Sequence, residues 1–130
     1  MYVSDTHALV YHVLNRKSRL GKNANRIFLR AESSQAVIVV PSIALWEIAL
    51  LAELGRIDLH QSFQHWCRGL QNHRGFDIVA LDWLDVNEAR GISLTDPYDR
   101  LIVGTALRLD MPLITRDQQI VDSGLVETIW

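Results

Sequence analysis

The sequence predicts an α/β fold built around a mostly parallel β-sheet. Short apolar runs, rich in β-branched residues, alternate with longer segments in which apolar residues recur at helical spacing. This alternation is typical of strand-helix units whose strands pair in parallel. At 130 residues, with no internal repeat, low-complexity tract or linker, the chain is expected to form one domain over residues 1–130.

The first half of the chain contains the clearest predicted strand. Residues 36–40 (AVIVV) are apolar on both faces, as a central parallel strand requires, and Pro41 is expected to end it. Ser42 is then placed to N-cap a helix over residues 43–54, which Gly55 stops. The other elements predicted in this half are a strand over residues 2–4 and helices over residues 6–14, 22–32 and 60–70.

The second half repeats the alternation. Asp96 precedes Pro97, which is the order expected of an N-cap and the first residue of a helix running to about residue 109. The remaining predicted elements are strands over residues 76–81, 112–115 and 126–130, a helix over residues 85–90 and a helical turn over residues 118–121.

Composition excludes several classes of protein. A single cysteine, Cys67, cannot form an internal disulfide framework, which favours a reducing, cytoplasmic setting. The N-terminus lacks the basic leader, apolar core and small-residue cleavage site of a signal peptide, so we expect no export signal. We also expect no membrane span, because the longest uncharged apolar stretch, residues 36–46, is far shorter than a bilayer-spanning helix. No motif of a zinc site or of a serine hydrolase is present. The sequence lacks the lysine on a late loop that a phospho-receiver domain requires, and it lacks the D-x-D string near the first strand that a haloacid-dehalogenase phosphatase requires. Both classes are therefore excluded.

The net charge of −2 hides an uneven distribution. Residues 1–30 carry six basic residues and one acid, whereas residues 76–130 carry ten acids and four basic residues. The total by itself argues against a polyanionic partner. The basic front is therefore either a binding surface for an anion or an ordinary solvated face, and the sequence leaves both interpretations open.

Four acidic residues follow strands or lie near the start of helices: Asp5, Glu47, Asp99 and Asp117. In a parallel sheet the turns that lead from strands into helices lie at one edge, so these carboxylates are expected to meet there. Helix capping is the simpler explanation for Asp5, Asp96 and Asp117 taken one at a time.

Glu47 is harder to explain by capping. Its helix is apolar nearly all round and is expected to be buried, and no lysine stands at helical spacing from Glu47. A buried carboxylate is costly unless it takes up a proton or finds a cation, and other carboxylates beside it would repel it and raise its pKa. A divalent ion such as Mg²⁺ or Mn²⁺, which prefers oxygen ligands, would meet that need.

Four local strings carry a family resemblance. SDTHALVYHVL, PSIALWEIALLAELGRI, TDPYDRLIVGTAL and PLITRD, in this order over nearly the whole chain, resemble the PIN-domain ribonucleases, and specifically the VapC-type toxins of toxin–antitoxin pairs. The resemblance implies a three-layer α/β/α domain, usually a homodimer, that cuts RNA with Mg²⁺ or Mn²⁺. It also implies a small VapB-type antitoxin that holds the toxin inactive and through which alone DNA would be bound.

The resemblance also assigns roles to residues. The four acidic positions of the family fall, in chain order, on Asp5, Glu47, Asp99 and Asp117. Thr6 and Thr115 fall where the family has a hydroxyl group beside the acidic pocket, although strand-end hydrogen bonding explains them equally well. Asp96 shares the D-P-x-D string and is expected mainly as a cap, with a lesser role at the metal site. Leu51 departs from the basic residue that many relatives carry, which affects substrate positioning.

We therefore expect metal-assisted hydrolysis of RNA by the four acids, without a nucleophilic side chain. Arg16, Lys17 and Arg19 in the basic front are the candidates for contact with the RNA backbone. The alternative is a catalytically silent PIN fold that acts as a binding module or within an operator-binding complex with an antitoxin. The presence of all four acids favours the enzyme.

Overall fold

Five strands form the centre of the molecule. The computed structural model describes the backbone of all 130 residues and every side chain except that of Lys17. The strands are β1 (Tyr2–Ser4), β2 (Ile38–Pro41), β3 (Phe76–Val79), β4 (Leu113–Ile114) and β5 (Thr128–Ile129). All neighbouring strands pair in parallel, in the order β3-β2-β1-β4-β5, so β1 lies in the middle of the sheet.

Helices cover both faces of this sheet. They are α1 (Thr6–Val13), α2 (Lys22–Glu32), α3 (Ser42–Glu53), α4 (Phe63–Asn72), α5 (Trp83–Ala89), α6 (Pro97–Leu109) and α7 (Gln118–Ser123). Because side chains alternate along a strand, Ile38 and Val40 of β2 pack with α1, α2 and α4, while Val39 packs with α6 and α7. The predicted three-layer α/β/α fold with a parallel sheet is confirmed.

Two local predictions about α3 are wrong. Pro41, not Ser42, occupies the N-cap position, and the Ser42 hydroxyl instead accepts a hydrogen bond from the backbone N–H of Leu81 at 3.0 Å. The helix is also not largely buried, since Ala44 and Ile48 are its buried residues and Trp46 is 49% exposed. Its apolar surface therefore belongs only in part to the core.

The predicted helix over residues 60–70 starts later than expected. His60 has a φ of 56°, in the left-handed region that a helix cannot include, and Ser62 is the N-cap, accepting a hydrogen bond from the N–H of His65 at 3.2 Å. Trp66 and Leu70 of α4 are buried as the amphipathic pattern predicts. No helix in the described part of the chain is both long and apolar enough to cross a membrane.

The helices α5 and α6 lie against each other around a buried carboxylate. Asp85 is fully buried, forms an ion pair with Arg108 and accepts a hydrogen bond from the N–H of Asp82 at 2.7 Å. Gly104 faces the same segment, and a Cβ atom built there would lie 2.4 Å from the backbone oxygen of Asp85. The missing side chain thus allows α6, which carries Asp99, to pack close to α5.

We expect Gly104→Ala to lower the free energy of unfolding by about 2 kcal/mol or more, because the added methyl group meets backbone that cannot move aside. Gly69→Ala in α4 is the matched control. A Cβ atom there meets nothing within 4 Å, so this change should raise the free energy of unfolding by about 0.5–1 kcal/mol through helix propensity alone. Urea unfolding measures both; equal effects of the two changes would contradict the proposed close packing.

Candidate active site

Two acids of the predicted cluster lie in the turns that follow neighbouring strands. Asp5 follows β1 and is buried, and its carboxylate accepts a hydrogen bond from the N–H of Ala8 at 2.7 Å, which caps α1. Asp117 follows β4 and caps α7 by accepting from the N–H of Ile120 at 3.1 Å. The capping interpretation is thus confirmed for both residues, and the same turns bring both carboxylates to the carboxyl edge of the sheet.

Thr115 joins these two turns. Its hydroxyl group hydrogen bonds to the side chain of Asp5 and accepts a hydrogen bond from the N–H of Asp117 at 3.1 Å. Thr6 plays a similar part for the third acid, since its hydroxyl donates to Oε1 of Glu47 at 2.6 Å. Both threonines therefore touch the acids, and each of these contacts is also a hydrogen bond made at the end of a strand.

The fourth acid comes from the first turn of α6. Asp96 caps this helix, as predicted, by accepting from the N–H groups of Tyr98 at 2.7 Å and Asp99 at 3.2 Å. Asp96 is itself exposed, whereas Asp99 is half-buried. None of the described side chains donates a hydrogen bond to the Asp99 carboxylate, whereas Thr115 and Thr6 bond to Asp5 and Glu47, and a backbone N–H bonds to Asp117.

The charges of these carboxylates act on one another. Burial, followed by repulsion from Asp96, Asp117, Glu47 and Asp5, raises the pKa of Asp99 to about 7. Burial also raises the pKa of Asp5, against the hydrogen bonds from Thr115 and Ala8, and it raises the pKa of Glu47 against the bond from Thr6. Mutual repulsion of this kind shows that the acids predicted from the sequence face one region of the structure.

The donor chemistry of this region fits a hard divalent cation, because carboxylate and hydroxyl oxygens surround it. As the described side chains stand, however, no three His, Cys, Asp or Glu groups are close enough to hold one metal ion jointly. A bound cation would therefore have to draw the carboxylates closer together. It would also offset the repulsion that raises the pKa of Asp99.

A cavity of about 300 Å³ opens beside Asp5 and Asp117. It is also lined by four residues that the sequence analysis did not assign to the site: His7, Tyr11, Arg116 and Gln118. Arg116 donates a hydrogen bond to the Tyr11 hydroxyl at 2.8 Å. Arg116 stands between Thr115 and Asp117 in the sequence, which is the one signal that could have assigned it to the site. Its contact with Tyr11 could not be predicted, because Tyr11 is distant in sequence.

The basic front follows α1. Arg16 and Arg19 are both exposed, and the guanidinium carbon of Arg19 lies 5.9 Å from the centre of the Tyr11 ring. This places Arg19 on the side of α1 that carries Tyr11. The side chain of Lys17, the third residue of the predicted RNA contact, lies outside the part of the molecule that the structure describes.

The fold is that of a PIN domain. The chain belongs to the PIN domain family, whose model matches residues 2–123, and members of this family are generally nucleases. No curated protein matches the chain.

Two solved structures share the fold. A chain of VapBC2 from Rickettsia felis, in a crystal structure with a DNA fragment from the promoter, matches with a TM-score of 0.67 and 16% identity, over 98% of this chain and 96% of that chain. A chain of a toxin–antitoxin complex from Klebsiella pneumoniae matches with a TM-score of 0.66 and 18% identity, over 100% of this chain and 97% of that chain.

We expect Asp99→Asn to stabilise the metal-free protein at alkaline pH. The pKa of Asp99 is about 7 in the fold against 3.8 normally, so the folded state holds its proton more tightly and wild-type stability falls as pH rises from 4 to 7. After allowance for solvent screening, the variant should gain about 1–2 kcal/mol above pH 7 and nothing near pH 4.

Urea unfolding in EDTA measures this difference. Glu53→Gln, which removes an exposed carboxylate at the end of α3, is the control and should show no comparable gain. A gain for Asp99→Asn that is independent of pH would contradict the assigned repulsion.

Proposed function

We propose that this protein is a divalent-metal-dependent endoribonuclease and the VapC-type toxin of a type II toxin–antitoxin pair. The meeting of Asp5, Glu47, Asp99 and Asp117 at the carboxyl edge of the sheet carries this proposal. Among the described side chains, no ion pair joins any of the four to a basic residue. Four carboxylates kept together without an ion pair to a basic side chain are expected of a site that binds a cation.

Asp5 and Asp99, with Asp117 and Glu47, would hold one or two Mg²⁺ or Mn²⁺ ions. When bound, the metal supplies charge stabilisation for the phosphate and makes water a better nucleophile. The protein supplies position: Thr115 and Ala8 hold the Asp5 carboxylate, and Thr6 holds Glu47. Asp99, with a pKa of about 7, is partly protonated at neutral pH and gives up that proton when a cation binds.

Water, and not a side chain, is the nucleophile in this proposal. Cys67, the one thiol of the chain, lies in α4, and burial raises its pKa, which keeps it protonated and unreactive. Asp96 serves as the cap of α6 and adds negative charge near Asp99.

The RNA backbone is proposed to run along the basic front. Arg16 and Arg19 are exposed there, and Arg19 approaches Tyr11 beside the acidic cavity. Lys17 is included on sequence alone. This surface would supply the positive charge that the acidic half of the chain lacks.

A second cavity, of about 410 Å³, lies between α1, α2 and α4 and supports the proposed antitoxin partner. Its lining includes the apolar side chains of Val13, Trp66, Leu70 and Phe76, which suit an apolar segment of a VapB-type protein. The polar lining residues are His12, Glu32, Gln61, His65 and His73. DNA would be bound only through that antitoxin. The toxin–antitoxin complexes with the same fold support this arrangement by analogy.

Exposed apolar side chains support a homodimer. Trp46 and Leu54 of α3 are 49% and 66% exposed, and Trp83 at the start of α5 is 74% exposed. The hydrogen bond from Leu81 to Ser42 holds the starts of these helices together. In this proposal residues 1–130 form a single domain that acts in the cytoplasm. Two copies of the chain pair through these exposed apolar side chains.

The direct test is cleavage of structured RNA by antitoxin-free protein, with Mg²⁺ and with EDTA. Asp99→Asn should lose about 100-fold or more of the rate, because it removes a proposed metal ligand. Asp77→Asn removes an exposed carboxylate of β3 and should cleave as the wild type does. Cleavage by Asp99→Asn at the rate of Asp77→Asn would overturn the assignment, and inactivity of the wild type on all RNAs would favour the silent binding module.

A further inference from the structure

The cavity beside the acids contains an arginine that pairs with none of them. We propose that this cavity is a subsite for one unpaired nucleotide of the RNA, in which Arg116 binds the phosphate adjacent to the one that is cut. The proposal rests on the proposed ribonuclease function. The residues that line the subsite are Asp5, His7, Tyr11, Arg116, Asp117 and Gln118.

The orientation of Arg116 is fixed by aromatic side chains. Its Nη2 donates to the hydroxyl of Tyr11 at 2.8 Å, and its guanidinium carbon lies 5.1 Å from the centre of the Tyr11 ring and 5.6 Å from that of Trp130. These distances are within the range of cation–π contacts. Arg116 is thus held in place by two rings that come from opposite ends of the chain.

The packing of Trp130 depends on the absence of a side chain at Gly21. A Cβ atom at Gly21 would lie 2.3 Å from the carbonyl carbon of Trp130 and 2.4 Å from its Cδ1 atom, so the missing side chain makes room for the indole. The Trp130 ring also meets the Tyr11 ring edge-on, with centres 6.3 Å apart. The support of Arg116 is therefore a packed part of the fold.

The charge of Arg116 remains available to an external anion. It stands next to Asp117 in sequence and lines the same cavity as Asp5, yet the described side chains include no ion pair between Arg116 and an acid. The Tyr11 hydroxyl occupies only one of the five N–H donors of the guanidinium. A guanidinium with free donors matches the paired oxygens of a phosphate.

The rest of the cavity suits a nucleotide. Its volume of about 300 Å³ is at the lower end of small-ligand pockets and offers room for one base or sugar. The exposed ring of His7, whose centre lies 6.3 Å from that of Tyr11, offers a surface for stacking, and Gln118 offers an amide for hydrogen bonding. Stacking of this kind requires an unpaired base, so the inferred substrate is a single-stranded segment or loop.

Binding is best measured in an Asp99→Asn background, which separates affinity from cleavage. The probe is a fluorescent single-stranded RNA, titrated at several concentrations of potassium chloride. Arg116→Gln should weaken binding about 10-fold and reduce the slope of log Kd against log salt by about 0.7, the value for one phosphate contact on a single strand. Arg74→Gln is the matched control, because Arg74 is exposed just before β3, at the opposite edge of the sheet.

Two further variants separate charge from orientation. Tyr11→Phe and Arg116→Lys keep the positive charge but lose the fixed guanidinium, so both should weaken binding about 3-fold to 5-fold while the salt slope stays unchanged. In the active protein, Arg116→Gln should raise KM and leave kcat nearly unchanged. Thermal melting checks that each variant is folded.

The outcomes distinguish the subsite from the function on which it rests. If the wild type cleaves RNA but Arg116→Gln matches Arg74→Gln in Kd and salt slope, the subsite is overturned and the ribonuclease assignment stands. If the wild type neither binds nor cleaves RNA, the proposed function fails and the subsite fails with it.

Discussion

The parallel direction of all five strands, with β1 in the middle, is the constraint on which the rest of the structure depends. Because β1 and β4 are neighbours and end at the same edge, Asp5 and Asp117 are brought together without any contact of their own. The helix α3 starts directly after β2 and brings Glu47 to this edge, where Thr6 meets it. The helix α6 packs on the sheet through Ile102, Val103 and Ala106, and its first turn adds Asp99.

Bringing like charges together is costly, and the fold distributes that cost. Backbone N–H groups at helix starts bind Asp5 and Asp117, and threonine hydroxyls bind Asp5 and Glu47. For Asp5 and Glu47 these hydrogen bonds partly oppose the rise of the pKa that burial causes. Asp99 has no such partner among the described side chains, and burial together with repulsion from the other acids raises its pKa to about 7. Arg116 lines the same cavity as Asp5 and Asp117, but its hydrogen bond goes to Tyr11, and no ion pair joins it to an acid among the described side chains. We therefore expect the acidic cluster to bind a cation from outside the chain and Arg116 to bind an anion.

Local patterns in the sequence predicted most elements and the four acids, because strand composition, helix periodicity and the position of an acid after a strand are all short-range signals. Contacts between distant residues could not be predicted. The hydroxyl of Ser42 binds Leu81 instead of capping its own helix, and Arg116 binds Tyr11 across the length of the chain. The exposure of Trp46 was also missed, since an all-round apolar helix looks the same whether its own core or a second molecule covers it.

The central claim, that the carboxylates around Asp99 bind a divalent cation, is tested most directly by calorimetric titration of Mn²⁺ into RNA-free and antitoxin-free protein. Titration near pH 7 in two buffers of different ionisation enthalpy reports the protons released. Because the pKa of Asp99 is about 7, we expect saturable binding in which Asp99 alone releases about half a proton. Asp99→Asn should lose that contribution and bind more weakly, whereas Asp77→Asn should do neither. Absence of binding, or binding that Asp99→Asn leaves unchanged in both affinity and proton release, would contradict the claim.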